Sequence, residues 1–218
     1  MRLKIVLTLI ICFSFITGAT AGSKWLFLTT DIGSSRFGGE NTLGKYWESG
    51  PAFQLGVRLC APSFLNNIIS AKGSVEYQYH NFRDGMMFID NINSGDGNYE
   101  LKGKDMSLFA YQAVIHLCIY IPDSFSPYVN IGKGRFRLNN DKISYNSNLN
   151  TSYYGRNRWI EYSINSCGVM RAINQRINVN VNLSWIYYEE RLNNERWIEE
   201  NKYSHYGMLT IGLEYNLF

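Results

Sequence analysis

The chain has 218 residues, 45% hydrophobic and 15% aromatic, with a formal charge of +3. That balance excludes a disordered chain, and so small a charge offers no basic face for nucleic acid. Four prolines against sixteen tyrosines and twelve phenylalanines suit β structure.

The first residues have three parts: Arg2 and Lys4, an apolar run from Ile5 to Ile16, and the small-x-small sequence Ala19-Thr20-Ala21. This is the pattern of a secretory signal cleaved after Ala21. The apolar run is shorter than the roughly 20 residues of a spanning helix. Cys12 lacks the small residues of a lipoprotein box, so no lipid anchor is read. The expected organisation is a signal peptide over 1–21 and one domain over 22–218. Losing Arg2 and Lys4 lowers the formal charge from +3 to +1.

Eight strands are expected, at 24–33, 52–61, 73–83, 105–121, 127–137, 158–172, 177–190 and 203–218. In the second, Phe53, Leu55, Val57 and Leu59 oppose Gln54, Gly56 and Arg58. The fourth is almost wholly apolar, and Leu108 to Ile121 would also suit a buried helix. It has no capping pattern and ends at Pro122-Asp123, which favours a strand. In the sixth, Ile160, Tyr162 and Ile164 oppose Glu161, Ser163 and Asn165. In the seventh, Val179, Val181, Leu183, Trp185 and Tyr187 oppose Asn178, Asn180, Asn182 and Ser184. The eighth alternates from Met208 to Leu217 and closes on Phe218. Period two with one polar face is a β pattern that a helix cannot use.

The gaps alternate in length. Gaps 34–51, 84–104, 138–157 and 191–202 hold 18, 21, 20 and 12 residues, whereas 62–72, 122–126 and 173–176 hold 11, 5 and 4. The long gaps are rich in Gly, Asn, Ser and Asp, as in Ser94-Gly95-Asp96-Gly97-Asn98, and read as solvated loops. Pro62-Ser63 and Asn66-Asn67 mark a turn in the 11-residue gap. Short turns on one side and long loops on the other are the layout of an all-β, eight-stranded, antiparallel, up-and-down transmembrane barrel with both ends in the periplasm. A soluble barrel would put the apolar stripes inward. The segregated loops, the aromatic stripe ends, the closing aromatic residue and polar faces without dense Lys and Glu favour lipid outside. An open sheet edge cannot lie in hydrocarbon, so the barrel must close.

The stretch Ser126-Pro127-Tyr128-Val129-Asn130-Ile131-Gly132-Lys133-Gly134 resembles a strand common in small outer-membrane β-barrel domain proteins of Gram-negative bacteria. Gly212-Leu213-Glu214-Tyr215-Asn216 resembles their terminal strand. The resemblance implies a porin-like barrel in the cell outer membrane, inserted by the outer-membrane assembly machinery and set among outer-membrane lipids and lipopolysaccharide.

With apolar stripes outward, Arg58, Glu76, Gln78, His80, Gln112, His116, Glu161 and Glu214 face the lumen. Eight strands leave an interior that side chains just fill, and charges inside must be paired or wet. A hydrogen-bonded plug is the main reading, with Arg58 and Glu76 as the expected pair; a narrow channel or binding crevice is the other. The fifth strand breaks the rule, because Val129 and Ile131 share a face with Lys133, Arg135 and Arg137. A charge at the middle of the lipid face costs roughly 2–4 kcal/mol. Arg135 and Arg137 are therefore expected at the outer rim, facing lipopolysaccharide phosphates or water, and Lys133 is expected to turn inward through a bulge at Gly132 or Gly134. Cys60, Cys118 and Cys167 are expected inward beside His116, as packing residues, one disulfide or a metal site; no CxxC or HxxH spacing selects among these.

A lipid A-modifying enzyme would need a serine, a base and a carboxylate together. The candidates are His80 with Ser74 and Glu76, and Ser204-His205, where His205 falls on the lipid-facing stripe. No phosphate loop, zinc motif or EF-hand is present, so no catalytic residue, metal or cofactor is assigned. The expected function is structural or one of binding and adhesion through the loops, where Tyr145, Tyr153, Tyr154, Arg196 and Trp197 offer a ligand contact surface or pack on one another.

Overall fold

The computed structural model describes residues 26–38, 47–60, 68–83, 87–89, 98–121, 123–139, 144–145, 159–190 and 202–217. The signal segment 1–21, the turn at Ser63 and Asn66-Asn67, and Phe218 lie outside them.

Among the described residues eleven strands follow in chain order: β1 Leu26–Phe37, β2 Gly50–Cys60, β3 Ile69–His80, β4 Met87–Ile89, β5 Asn98–Lys102, β6 Met106–Cys118, β7 Ser126–Asn139, β8 Ser144–Tyr145, β9 Trp159–Ala172, β10 Ile177–Glu190 and β11 Lys202–Asn216. Eight of them, the eight expected, close into one antiparallel barrel in the order β1-β11-β10-β9-β7-β6-β3-β2. The segment with a helical alternative is strand β6. Closure comes from β1, which pairs with β2 on one side and β11 on the other; Phe27 lies opposite both Arg58 and Asn216. Pairing runs residue for residue without a bulge through β6–β7 and β7–β9.

The turn between β6 and β7 is tight. Ser126 Oγ accepts from Ile121 N–H at 2.9 Å, and Asp123 takes the left-handed conformation at φ 56°. Aspartate tolerates this region better than most residues.

Two gaps expected to be wholly loop carry short strands. β4, β5 and β8 form a separate three-stranded sheet in the order β4-β5-β8. The pairs Leu101↔Tyr145 and Lys102↔Ser144 join the third-to-fourth barrel connection to the fifth-to-sixth. The Gly/Asn/Ser content of those gaps masked the short β-prone runs at Met87–Ile89 and Tyr99–Leu101.

Burial alternates along β2, β3 and β6. Leu55, Ile115, Leu183, Ile211 and Leu213 stand exposed on the outside, while Gln78, His80, Phe136, Tyr206 and Met208 are buried inside. A soluble barrel would show the reverse. The apolar wall therefore faces lipid, and the packed core is the lumen.

Candidate functional site

The lumen is filled in tiers, each set by which inward positions the strands bring level. At the periplasmic end Arg58 Nη2 donates to Glu214 Oε2 at 2.5 Å, and both side chains are almost wholly buried. The guanidinium crosses β1 to reach its partner, with its carbon 4.3 Å from the Phe27 ring centroid. A cation over an aromatic face recovers part of the attraction that hydration would supply. Asn178 Nδ2 donates to the same carboxylate oxygen at 3.3 Å. Lys72 Nζ meets Asp31 Oδ2 at 2.8 Å one step further in. Beside them His116 Nδ1 lies 2.8 Å from Asn130 Oδ1, and Asn130 Nδ2 donates to Ser166 Oγ at 2.7 Å.

Glu76 anchors the middle tier. Its carboxylate accepts from Gln54 Nε2 at 2.6 Å, from Gln78 Nε2, and from the Tyr206 hydroxyl at 3.4 Å. Tyr162 donates its hydroxyl to Gln112 Oε1 at 2.9 Å. Above this the lumen turns apolar and aromatic: Phe37, Trp47, Phe136, Tyr188 and Tyr206 pack with Met106, Leu108 and Ile186. Phe136 meets Tyr188 edge-on at 5.0 Å. Trp47 stands edge-on to Phe82 at 6.0 Å, and its indole Nε1–H donates to the Lys104 carbonyl at 3.1 Å.

Seven of the eight lumen residues expected from the sequence are buried inside: Arg58, Glu76, Gln78, His80, Gln112, His116 and Glu214. Four readings are corrected. Arg58 does not pair with Glu76. The β2–β3 register puts Gln54 opposite Glu76 and Lys72 opposite Arg58, so the carboxylate in reach of Arg58 is Glu214 on β11. Glu161 faces outward, because β9 inverts the pattern: Tyr162 and Ile164 point into the lumen, while Glu161, Ser163 and Asn165 point out. Cys167 shares that parity and is exposed; Cys60 and Cys118 are buried, and all three are free thiols. Lys133 stays outward with Arg135 and Arg137. No bulge turns it, because the inward positions on either side, Gly132 and Gly134, are closed off by Val114 and Tyr162, into which any added Cβ would collide. Arg135 Nη2 bonds Glu161 Oε1 on the outer wall.

His80 bonds neither Ser74 nor Glu76. The His80 Nδ1–H donates to the Glu48 carbonyl at 2.8 Å, and Nε2 faces Ser35 Oγ at 3.2 Å. Ser74 Oγ has no hydrogen-bond partner. His205 is on the outer wall, stacked near Tyr187 at 6.3 Å. Among the described residues no three His, Cys, Asp or Glu side chains gather as a metal set.

At the outer rim Tyr79 donates its hydroxyl to Asp105 Oδ2 at 2.5 Å, and Phe82 N–H donates to Oδ1 at 2.8 Å. These two bonds, the Tyr79 one foremost, hold the Asp105 carboxyl below its ordinary value. Sequence reading missed this clamp, since it joins a strand end to a residue past a long loop.

No protein-family model matches the chain, and no curated protein matches it. Solved structures do. Neisserial surface protein A (NspA) superposes with a TM-score of 0.54 at 11% identity, over 89% of this chain and 98% of that one. Ail, the attachment invasion locus protein of Yersinia pestis, gives 0.50 at 14% identity, over 88% and 99%. At such identities the likeness is one of fold. The closed eight-stranded barrel with an apolar outer wall defines the class: a small outer-membrane β-barrel.

Proposed function

We propose that this protein is a non-conducting outer-membrane barrel that serves as a rigid mount for a binding surface on its outer loops. The observation that carries this reading is the filled lumen. Trp47, Phe136 and Tyr206 are at most 1% exposed, and they roof a tier in which Glu76 is satisfied by three donors. A path for ions would need wet, mobile charges, whereas these are locked to fixed partners. The backbone pairing of β5 with β8 ties two outer connections into one platform. The proposed contact residues Tyr153, Tyr154, Arg196 and Trp197 lie outside the described residues, and Tyr145 is placed by its backbone alone.

The same reading includes export by the 1–21 signal, insertion by the outer-membrane assembly machinery, and contact of Arg135 and Arg137 with lipopolysaccharide at the rim. The test has two arms. Purified barrel in planar bilayers should show no single-channel steps. The parent should bind immobilised extracellular-matrix proteins, and a variant with residues 146–155 replaced by a short Gly/Ser linker should keep its heat-shifted gel mobility yet lose that binding. Steps in the parent that change with Arg58→Ala would replace this reading with a channel.

A further inference from the structure

The lipid-facing wall is not uniform. On β10 the outward residues run Val181, Leu183, Trp185, Tyr187, and on β11 Leu209, Ile211, Leu213, Tyr215. On β9, below Trp159, they run Glu161, Ser163, Asn165, Cys167, and on β7 the outer half carries Lys133, Arg135 and Arg137. Register puts these side by side: Lys133 lies opposite Ser163, and Arg135 opposite Glu161.

Depth makes this patch unusual. Asn165 is six residues from Trp159 and six from Arg171 along β9; Lys133 is six from Pro127 and six from Asn139 along β7. A tilted strand climbs about 2.5 Å per residue, so each lies about 15 Å from both ends of its outward row, near the middle of an apolar belt about 25 Å tall. Acyl chains offer an amide or a hydroxyl no hydrogen bond there. Polar side chains at that depth mark a function or a partner.

We propose that the outward wall of β7 and β9 is a lateral interface with a second copy of this chain in the plane of the membrane. Depth selects the occupant. The phosphates of an outer-leaflet lipid lie at the rim, about 10–15 Å above Asn165 and Ser163. A second copy related by a two-fold axis along the membrane normal carries polar groups at the same height by symmetry. The axis sets β7 of one copy against β9 of the other. Ser163 and Asn165 of each copy then face Lys133 of the other at about their own height, and the long lysine side chain extends toward Glu161 just above them. That carboxylate engages its own Arg135 through Oε1, which leaves Oε2 for the lysine. Charge is thus complementary across the axis. Small outward residues at Ala113, Ser163 and Cys167 allow the walls to approach closely, as small residues do where helices pack in membranes. Directly below, an apolar groove of about 690 Å³ bordered by Cys167, Val129, Val169 and Leu183 can receive apolar side chains of the opposite wall.

The full chain, carrying one fluorophore per copy, is reconstituted at low density in phosphatidylethanolamine/phosphatidylglycerol vesicles, with and without lipopolysaccharide, and copies are counted by stepwise bleaching. Two-step spots are expected in both. Cys167 is the one exposed thiol among the described cysteines, so a short bis-maleimide should join the two copies in the parent and not in Cys167→Ser. Ser163→Leu with Asn165→Leu restores an apolar belt and should lower the two-copy fraction about tenfold or more while the heat-shifted gel band persists. If that variant loses the heat shift, Lys133→Met is read instead, and it too should lower the two-copy fraction. Single-step spots in both vesicles overturn the proposal. So does a two-copy fraction unchanged by whichever of these variants keeps its heat shift. Single copies that retain a phosphorylated glycolipid in native mass spectrometry, lost on Lys133→Met, would give the wall to lipid.

Discussion

The two ends of the lumen are held by different physics. At the periplasmic end Arg58–Glu214 and Lys72–Asp31 meet in near-complete burial. At the outer end Phe37, Phe136, Tyr188 and Tyr206 interlock without a formal charge among them. Ion pairs in a dry site depend on both partners, because removing one leaves a buried charge unmatched. Ring packing depends on shape and loses only area and a cavity when trimmed. The barrel thus has an end that specifies partners and an end that excludes solvent.

The largest break in this comparison should come from the charged end. Arg58→Ala should destabilise by about 3–5 kcal/mol in urea unfolding from lipid, because Glu214 is stranded. Arg58→Met with Glu214→Leu should recover most of that loss, because the pair also carries a desolvation cost. A double variant as weak as the single one would show that Phe27 stacking, and not charge pairing, dominates.

Phe136→Ala tests the other end. A fully buried ring replaced by methyl should cost about 3–5 kcal/mol, and apolar substitutions of similar volume should be tolerated. Equal losses for Phe136→Leu and Phe136→Ala would mean that the edge-on contacts, and not volume, matter.

A smaller effect is expected in the middle tier. Tyr162→Phe leaves the ring and strands the Gln112 carbonyl, a loss of about 1 kcal/mol.

The smallest effect lies at the exposed rim and depends on pH. Asp105 titrates below its unfolded value because Tyr79 and Phe82 donate to its ionised form. The folded state therefore holds the proton less tightly than the unfolded state. The contribution is fully present above the unfolded pKa, about 4, and is lost as pH falls through the lower folded value. The difference in urea midpoint between the parent and Asp105→Asn should shrink between about pH 5 and pH 2; a constant difference would remove the clamp.

Alternation in β2, β10 and β11 was legible because apolar and polar residues separate cleanly by parity. The inversion of β9 was not. Ile160, Tyr162 and Ile164 are as apolar as any lipid-facing row, and parity alone does not say which row faces in. A signal was present in the neighbouring strand. Gly134 takes the inward parity of β7 and leaves room for a large inward neighbour, which is Tyr162. The loops could be read only by length and composition, so β4, β5 and β8 were missed. The partner of Arg58 was invisible because Glu214 lies beyond an intervening strand, and it comes near only once the barrel has closed.

The β1–β11 seam joins Phe27 to Asn216, and Leu217 N–H reaches the Leu26 carbonyl at 3.0 Å. The earliest strand of the barrel is thus zipped to the latest. Until β11 arrives, β1 and β10 both expose unpaired backbone that hydrocarbon cannot satisfy. Closure therefore has to wait for the eighth barrel strand. A product truncated before Lys202 would keep seven strands and two sticky edges, and its natural fate is degradation or aggregation.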